Sequence, residues 1–126
     1  SDSDPIFIIN VAPRGNGMEL ELIFKPDKED EKRTFKQNIL KIPSNQWFQI
    51  EAFYKRAQDQ SGQVIIWQDG DEIFNVTGLP TVLADNTIYW SINNYSNSIE
   101  PYPCIIYIDD AAISKVRLGP AYHYSP

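Results

Sequence analysis

Acidic, amide and aromatic side chains recur together in three short runs of this sequence. The runs are "WFQIEAFYK" at 47–55, "TIYWSINN" at 87–94 and "IIYIDD" at 105–110. Carboxylates and amides hydrogen-bond hydroxyl groups, and flat aromatic rings pack on apolar C–H faces. Such a mixture is typical of a surface that recognises sugars, whereas a polar outer face of any half-exposed sheet is the alternative interpretation.

The alternation of polar and apolar residues assigns these side chains to faces, because neighbours on a strand point to opposite sides. Burying an unpaired carboxylate is costly, so we expect Glu51 to face solvent and Phe48 and Ile50 to face the core. In the run 87–94, Trp90 belongs to the apolar set, which we expect to be core. The predicted ligand-binding surface comprises Gln49, Glu51, Trp67, Tyr89, Ser91, Asn93 and Tyr95.

The adjacent acids Asp109 and Asp110 are the strongest metal-ligand pair in the sequence. Since they point to opposite faces of a strand, we predict that one binds a structural Ca²⁺, with backbone carbonyls and a loop acid such as Asp2 or Asp4. The alternative is that both carboxylates accept hydrogen bonds at a loop edge. Glu51 with Glu72 or Asp71 would suit a glycosidase only as a pair about 5 to 9 Å apart, and we interpret these residues as solvated acids.

The elements that carry these residues are predicted to be strands. In "QVIIWQDGDEIFNVTG", Asp69 and Gly70 form a two-residue type I′ turn that pairs 63–68 with 72–77. Further strands are predicted at 6–11, 18–24, 35–42, 47–55, 87–94 and 105–117. Helical periodicity is almost absent, so the sequence predicts an all-β, antiparallel jelly-roll sandwich in a single domain over 1–126.

Composition excludes several classes of partner. The 126 residues carry a net charge of −6, which disfavours nucleic acid and anionic membrane surfaces because both need a positive face. No apolar run reaches membrane-spanning length, and the single cysteine, Cys104, rules out an internal disulfide. The chain begins without Met or a signal peptide, as a mature fragment would.

The segment 44–118, with "WFQIEAFYKRAQDQSGQVIIWQDGDEIFNVTGLPT", "YWSINNYS" and "IYIDDAAIS", resembles the C-terminal part of a concanavalin A-like jelly roll. That superfamily includes laminin G-like domains, legume-type lectins, polysaccharide lyases and glucanases. The resemblance implies a sandwich with more N-terminal strands than this chain contains. "YWSINNYSN" is also similar to the late strand of family 7 alginate lyases, which implies that Tyr95 takes the place of their catalytic tyrosine. Glu51 stands where that family has a histidine, and Ser91 where it has a lysine.

These observations favour non-catalytic carbohydrate binding by a lectin-like or accessory module of a secreted protein. We expect the partner to be a polysaccharide or oligosaccharide, and the location to be extracellular or at the cell surface. One alternative is a divergent polysaccharide lyase or glycoside hydrolase that uses Tyr95 and Glu51. Another is a scaffold or interaction domain without a small ligand.

Overall fold

Six strands account for the regular structure of the described chain in this computed structural model. Residues 6–26, 28–83, 89–94, 100, 103 and 105–120 are described. Contacts divide the chain into two units, Ser1–Asn86 and Thr87–Pro126, and each is described by itself. Within the described residues, no helix is long and apolar enough to cross a membrane.

The first unit contains two three-stranded antiparallel sheets. Sheet A consists of β1 (Phe7–Arg14), β2 (Gly17–Phe24) and β3 (Arg33–Phe35), in that order, with a single 3₁₀ turn at Glu29–Glu31. Sheet B consists of β4 (Ile50–Lys55), β5 (Gly62–Gln68) and β6 (Asp71–Leu79), again in chain order. The predicted all-β, antiparallel sandwich class is thus confirmed.

The core lies between the two sheets. Alternate residues of β2 and β5 are almost completely buried, among them Leu20, Leu22 and Ile66, each about 1% exposed. Both sheets supply the buried cluster, whose members are Leu20, Leu22, Phe24, Val64, Ile66, Ile73, Phe74, Val76 and Leu79. Burial of this apolar surface is the main force that holds the sheets face to face.

The predicted hairpin is confirmed in detail. Asp69 and Gly70 have φ values of +49° and +85°, as a type I′ turn requires, and Gln68 pairs with Asp71. The turn also holds the segment before β4. Its Asp69 carboxylate accepts a hydrogen bond from the Gln49 N–H at 2.9 Å, and the Asp69 N–H donates to the Gln49 carbonyl at 2.9 Å.

Strand bounds in sheet A differ from the prediction in two places. Strand β1 continues to Arg14, which pairs with Gly17 across a second two-residue turn whose Gly15 has φ +58°; Pro13 is tolerated because β1 is an edge strand. The predicted strand 35–42 is wrong beyond Phe35. There the side chain of Gln37 accepts hydrogen bonds from two backbone N–H groups, at 2.7 and 2.9 Å, and replaces the strand ladder.

Two carboxylates are buried on the outer side of sheet A, and both have partners. Glu19 is 6% exposed and lies 3.6 Å from the Arg14 guanidinium. Glu21 is 8% exposed, accepts a hydrogen bond from Asn10 at 2.9 Å and lies 3.5 Å from the Lys36 ammonium. Pairing compensates for the loss of hydration, so these acids have a structural explanation.

In the second unit, residues 89–94 and 105–120 form no strand among the described residues. The strands predicted at 87–94 and 105–117 are therefore not formed in the described parts of those runs. Trp90, expected in the core, is 56% exposed and lies on the segment 89–94, which forms no strand. Asp110 has φ +52°, which lies outside the region of backbone conformations that strands adopt.

Candidate functional site

The outward-facing side of sheet B presents two aromatic rings among polar groups. Paired residues in an antiparallel ladder share a face, so the register of β4, β5 and β6 fixes its membership. We call this surface the Trp67 face. Its members are Glu51, Phe53, Lys55, Gln63, Ile65, Trp67, Glu72, Asn75 and Thr77.

The side chains of the Trp67 face lie in three rows that cross the strands. In the first row, Trp67 on the central strand lies between Glu51 and Glu72. The second row consists of Phe53, Ile65 and Asn75, and the third of Lys55, Gln63 and Thr77. Directly opposite side chains are about 5 Å apart at Cβ, so each row is continuous enough to contact one ligand.

A β-bulge in β6 sets the second and third rows. The register shifts between Ile66 and Trp67, so that Ile66 pairs with Phe74 while Trp67 pairs with Glu72. The extra residue, Ile73, is buried together with Phe74. A bulge of this kind re-aims the side chains beyond it, and here it places Asn75 and Thr77 on the same face as the indole.

Accessibility on this face is graded from its edges to its centre. Phe53 is 44% exposed, and Glu72, Asn75 and Lys55 are also exposed. The three members on β5, Gln63, Ile65 and Trp67, are half-buried. The Gln63 amide donates a hydrogen bond to Asn75 Oδ1 at 2.8 Å. This contact fixes both amides, while their remaining donors and acceptors can still bind hydroxyl groups.

The position of β4 is secured by Thr81, which is 1% exposed. Its hydroxyl donates to the Lys55 carbonyl at 2.6 Å and accepts from the Ala57 N–H at 2.8 Å. The Tyr54 hydroxyl donates to the Thr81 carbonyl, and burial raises the pKa of Tyr54 to about 12. Because β4 carries Glu51 and Phe53, these contacts hold one side of the Trp67 face in place.

A separate cleft of about 650 Å³ lies in the first unit, at the ends of β2 and β6. Its lining includes Phe24 and Leu79, with Arg33 and Asp59 among its charged residues. Hydrogen bonds from the Ser61 hydroxyl, at 2.5 Å, and the Ser61 N–H, at 2.9 Å, lower the pKa of the Asp59 carboxyl. Asp59 therefore functions as a turn cap, and the cleft adds no converging catalytic groups among the described residues that line it.

The structure brings together part of the predicted binding set. Glu51 and Trp67 are cross-strand partners, which the sequence could not establish. Gln49 lies just before β4, where its N–H donates to the Asp69 carboxylate and its carbonyl accepts from the Asp69 N–H. The predicted face assignment holds for Glu51 and also for Ile50, which pairs with the buried Gln68 on the inner face. Ile50 is nevertheless 41% exposed, because it lies at the start of an edge strand.

The remaining predicted ligands belong to the second unit. Tyr89 is 86% exposed, as expected for a ring platform, and Ser91 and Asn93 are exposed as well. Asn93 donates a hydrogen bond to the Ser91 hydroxyl at 3.0 Å, which places both side chains on one side of the segment. Tyr95 lies outside the described residues, so its predicted role is a matter for experiment.

The predicted calcium ligands are adjacent to a sharp change of backbone direction. The Asp109 carboxylate accepts a hydrogen bond from the Asp110 N–H at 2.8 Å, and Asp110 has φ +52°. Among the described residues, no three acidic, histidine or cysteine side chains cluster as a metal site. Asp2 and Asp4, the proposed additional ligands, lie outside the described residues, and calcium binding stays a prediction.

Most of the chain matches the model of a known protein family. The model of the family described as "Polysaccharide lyase" matches residues 1–112. The chain belongs to the polysaccharide lyase family. This family is in the concanavalin A-like superfamily, as the resemblance of the segment 44–118 implied. Searches of curated proteins and of solved structures gave no match.

Several residues on the Trp67 face of this polysaccharide lyase family member were not predicted as ligands. Glu72 was interpreted as a solvated acid, although the two-residue turn at Asp69 and Gly70 already implies that it lies opposite Trp67. Nothing comparable in the sequence indicated that Phe53 and Asn75 lie on this face. Phe53 needs the pairing of β4 with β5, and Asn75 needs the bulge in β6, and neither follows from local sequence.

Proposed function

We propose that this protein binds a polysaccharide on the Trp67 face without cleaving it, as a lectin-like or accessory module. The observation that carries the proposal is the arrangement of Trp67 and Phe53 on one sheet face, with carboxylates and amides in the same rows. Rings supply stacking area, and the polar groups fix the orientation of hydroxyl groups. Membership of the polysaccharide lyase family supports a polysaccharide as the partner.

Such a module would act on polysaccharides outside the cell, so we propose an extracellular or cell-surface location. Affinity is expected to be modest, because an open sheet face buries little ligand surface. Several weak contacts spread over three rows would favour a polysaccharide over a single sugar. Each further sugar unit of a bound polysaccharide adds contacts at little extra cost in entropy.

Titration calorimetry with neutral and uronic-acid oligosaccharides tests the proposal. We expect Trp67→Ala and Phe53→Ala each to weaken binding, by about tenfold if a ring contact worth about 1 to 1.5 kcal/mol is lost. Ile39→Ala is the matched control, since Ile39 is 56% exposed and lies outside sheet B. Undiminished affinity in both aromatic variants would refute binding on this face.

Catalysis is the second candidate, and family membership favours it. A lyase would remove the proton at C5 of a uronate unit, break the C4–O bond and leave a C4–C5 double bond in the product. Glu51 would act as the general base, and Tyr95 would protonate the leaving oxygen. Release of the unsaturated product, followed by ultraviolet absorbance, would establish this activity, and its loss in Glu51→Gln and Tyr95→Phe would assign it.

A scaffold role without a small ligand is the third candidate. It predicts neither binding nor turnover with any oligosaccharide tested. The three candidates are therefore separated by two measurements on the same preparation: heat of binding, and absorbance of the unsaturated product. Binding without absorbance supports our proposal, and absorbance supports the lyase.

A further inference from the structure

The cleft at the ends of β2 and β6 has an apolar wall that continues the core of the sandwich. Phe24 and Leu79 belong to the buried cluster and also line the cleft. Pro26, Pro80 and Leu83, which are half-buried, extend this lining towards solvent. The volume of about 650 Å³ lies within the range of sites that hold small molecules.

A guanidinium group stands beside this apolar wall. Arg33 on β3 pairs with Phe24 on β2, so both side chains are on the inner side of sheet A, and both line the cleft. Arg33 is the first residue of β3 and is exposed. Among the described residues, its guanidinium forms no ion pair.

The other charged groups of the cleft already have partners. The Lys28 ammonium lies 3.9 Å from the Glu31 carboxylate, and the Asp59 carboxylate accepts hydrogen bonds from the Ser61 hydroxyl and N–H. The charges of the lining sum to zero, so long-range repulsion of an anion there is small. Arg33 is the charged group of the lining that is left to pair with a ligand.

A second β-bulge borders the cleft on the side of sheet B. Gly62 pairs with Leu79 and Gln63 with Thr77, so Gly78 is an extra residue outside the ladder. Gly78 has φ +76°, and a Cβ atom added to it would meet no atom within 4 Å. The backbone of β6 therefore borders open space at this point, where a ligand can approach it closely.

We infer that the cleft binds a small molecule that combines a carboxylate with an apolar body, of the arylalkanoic acid class. The Arg33 guanidinium matches a carboxylate through two parallel N–H···O hydrogen bonds, and the apolar body lies against Phe24 and Leu79, beside Gly78. The cleft shares no residue with the Trp67 face. The inference thus goes beyond the proposed function and does not depend on it.

Titration followed by nuclear magnetic resonance tests the inference with three probes of one shape: phenylbutanoate, its neutral amide and phenylbutylammonium. At about pH 7 the acid is ionised. We expect it to bind about fivefold more tightly than the amide, a difference of about 1 kcal/mol that is typical of a well-formed exposed ion pair. This preference is expected to fall as salt is raised. The backbone amide resonances of Gly78 and Leu79 should shift with saturation, and those of Phe53 should not.

Variants of single residues locate the effect. Arg33→Gln is expected to bind acid and amide equally, whereas Arg33→Lys, which keeps the charge but loses the planar fork, should retain a smaller preference. Lys32→Gln is the matched control, because it removes one positive charge from an exposed neighbour outside the lining. Leu83→Ala removes apolar lining and should weaken all three probes by about threefold. Far-ultraviolet circular dichroism and a melting curve establish that each variant is folded.

The outcomes test each part of the inference. Equal affinity of the wild type for acid and amide, or tighter binding of the ammonium probe, would overturn the carboxylate class. A preference that survives in Arg33→Gln, or that is lost equally in Lys32→Gln, would overturn the role of Arg33. Shifts confined to other parts of the chain, or no binding of any probe, would overturn the site. None of these results changes the expectation for polysaccharides on the Trp67 face, so the two proposals fail separately.

Discussion

A single methyl group at Gly62, the first residue of β5, is predicted to destabilise the sandwich. A Cβ atom added there would lie 2.4 Å from the Leu79 carbonyl oxygen and 2.7 Å from Thr81 Cγ2. The first contact is with backbone that pairs with Gly62 in sheet B, and the second is with a side chain that is 1% exposed. Neither group is the far end of a flexible side chain, so Gly62→Ala has to displace β6 or Thr81.

The expected magnitude follows from those contacts. Inserting a methyl group into a filled site costs about 1 to 3 kcal/mol. Displacement of Thr81 would also weaken its hydrogen bonds to Lys55 and Ala57, each worth about 0.5 to 1.5 kcal/mol. The lower entropy of the unfolded alanine chain offsets about 0.4 to 1 kcal/mol. We therefore expect a net loss of about 2 kcal/mol in the free energy of unfolding.

Urea denaturation followed by circular dichroism measures this loss as a lower midpoint at similar slope. The matched control is Gly17→Ala at the start of β2, where the added Cβ would meet only Lys41 Cδ at 3.7 Å and the Arg14 carbonyl at 3.8 Å. These are ordinary contacts, so a change within about 0.5 kcal/mol is expected. Equal midpoints for the two alanine variants would refute the reasoning.

Three further predictions concern the turn, the buried tyrosine and calcium. Gly70→Val should lower the free energy of unfolding by about 1 kcal/mol or more, because Gly70 has φ +85°; Asp69→Asn, which tolerates φ > 0, is the control, and an unchanged midpoint for Gly70→Val would contradict the turn. The pKa of Tyr54 is raised from 10.0 to about 12, so the contribution of the neutral Tyr54 hydroxyl to stability is complete below pH 10 and is lost as pH rises towards 12. Tyr54→Phe should therefore lack that part of the alkaline decline in melting temperature, and an identical decline in both proteins would contradict the prediction. If Asp109 or Asp110 binds Ca²⁺, EDTA should lower the melting temperature of the wild type and leave Asp109→Asn or Asp110→Asn unaffected; a wild-type curve indifferent to both EDTA and Ca²⁺ would end the calcium proposal.

The sequence predicted the candidate site only where local rules apply. The turn at Asp69 and Gly70 was recognised because φ > 0 at two consecutive residues restricts the residue types that fit. The second turn, at 15–16, carries a Gly-Asn pair that is also a hairpin signal, but the proline before it suggested an earlier end for the strand. Trp67 was predicted to belong to the ligand-binding surface; it lies on the outer face of β5 beside Glu51, where it is half-buried.

Other parts of the site depended on distant contacts. Glu51 lies beside Trp67 because β4 pairs with β5 across the connection 56–61. The turn that Asp59 caps in this connection is not one of the two-residue turns that set the register of a hairpin by themselves. Trp90 was expected in the core from its alternation, yet it is 56% exposed. Alternation indicates which side chains share a side, and only a second layer decides whether that side is buried.

The sequence by itself determined the all-β class, the hairpin of β5 and β6, and the pairing of Trp67 with Glu72, since backbone preferences and the two-residue period of a strand act between near neighbours. The tertiary structure decided that Glu51 and Phe53 join the same face, that a bulge at Ile73 sets its second and third rows, and that Gln37 replaces a strand ladder. These features depend on pairing between residues far apart in the chain, and such pairing is selected by the burial summed over both sheets rather than by any local sequence preference.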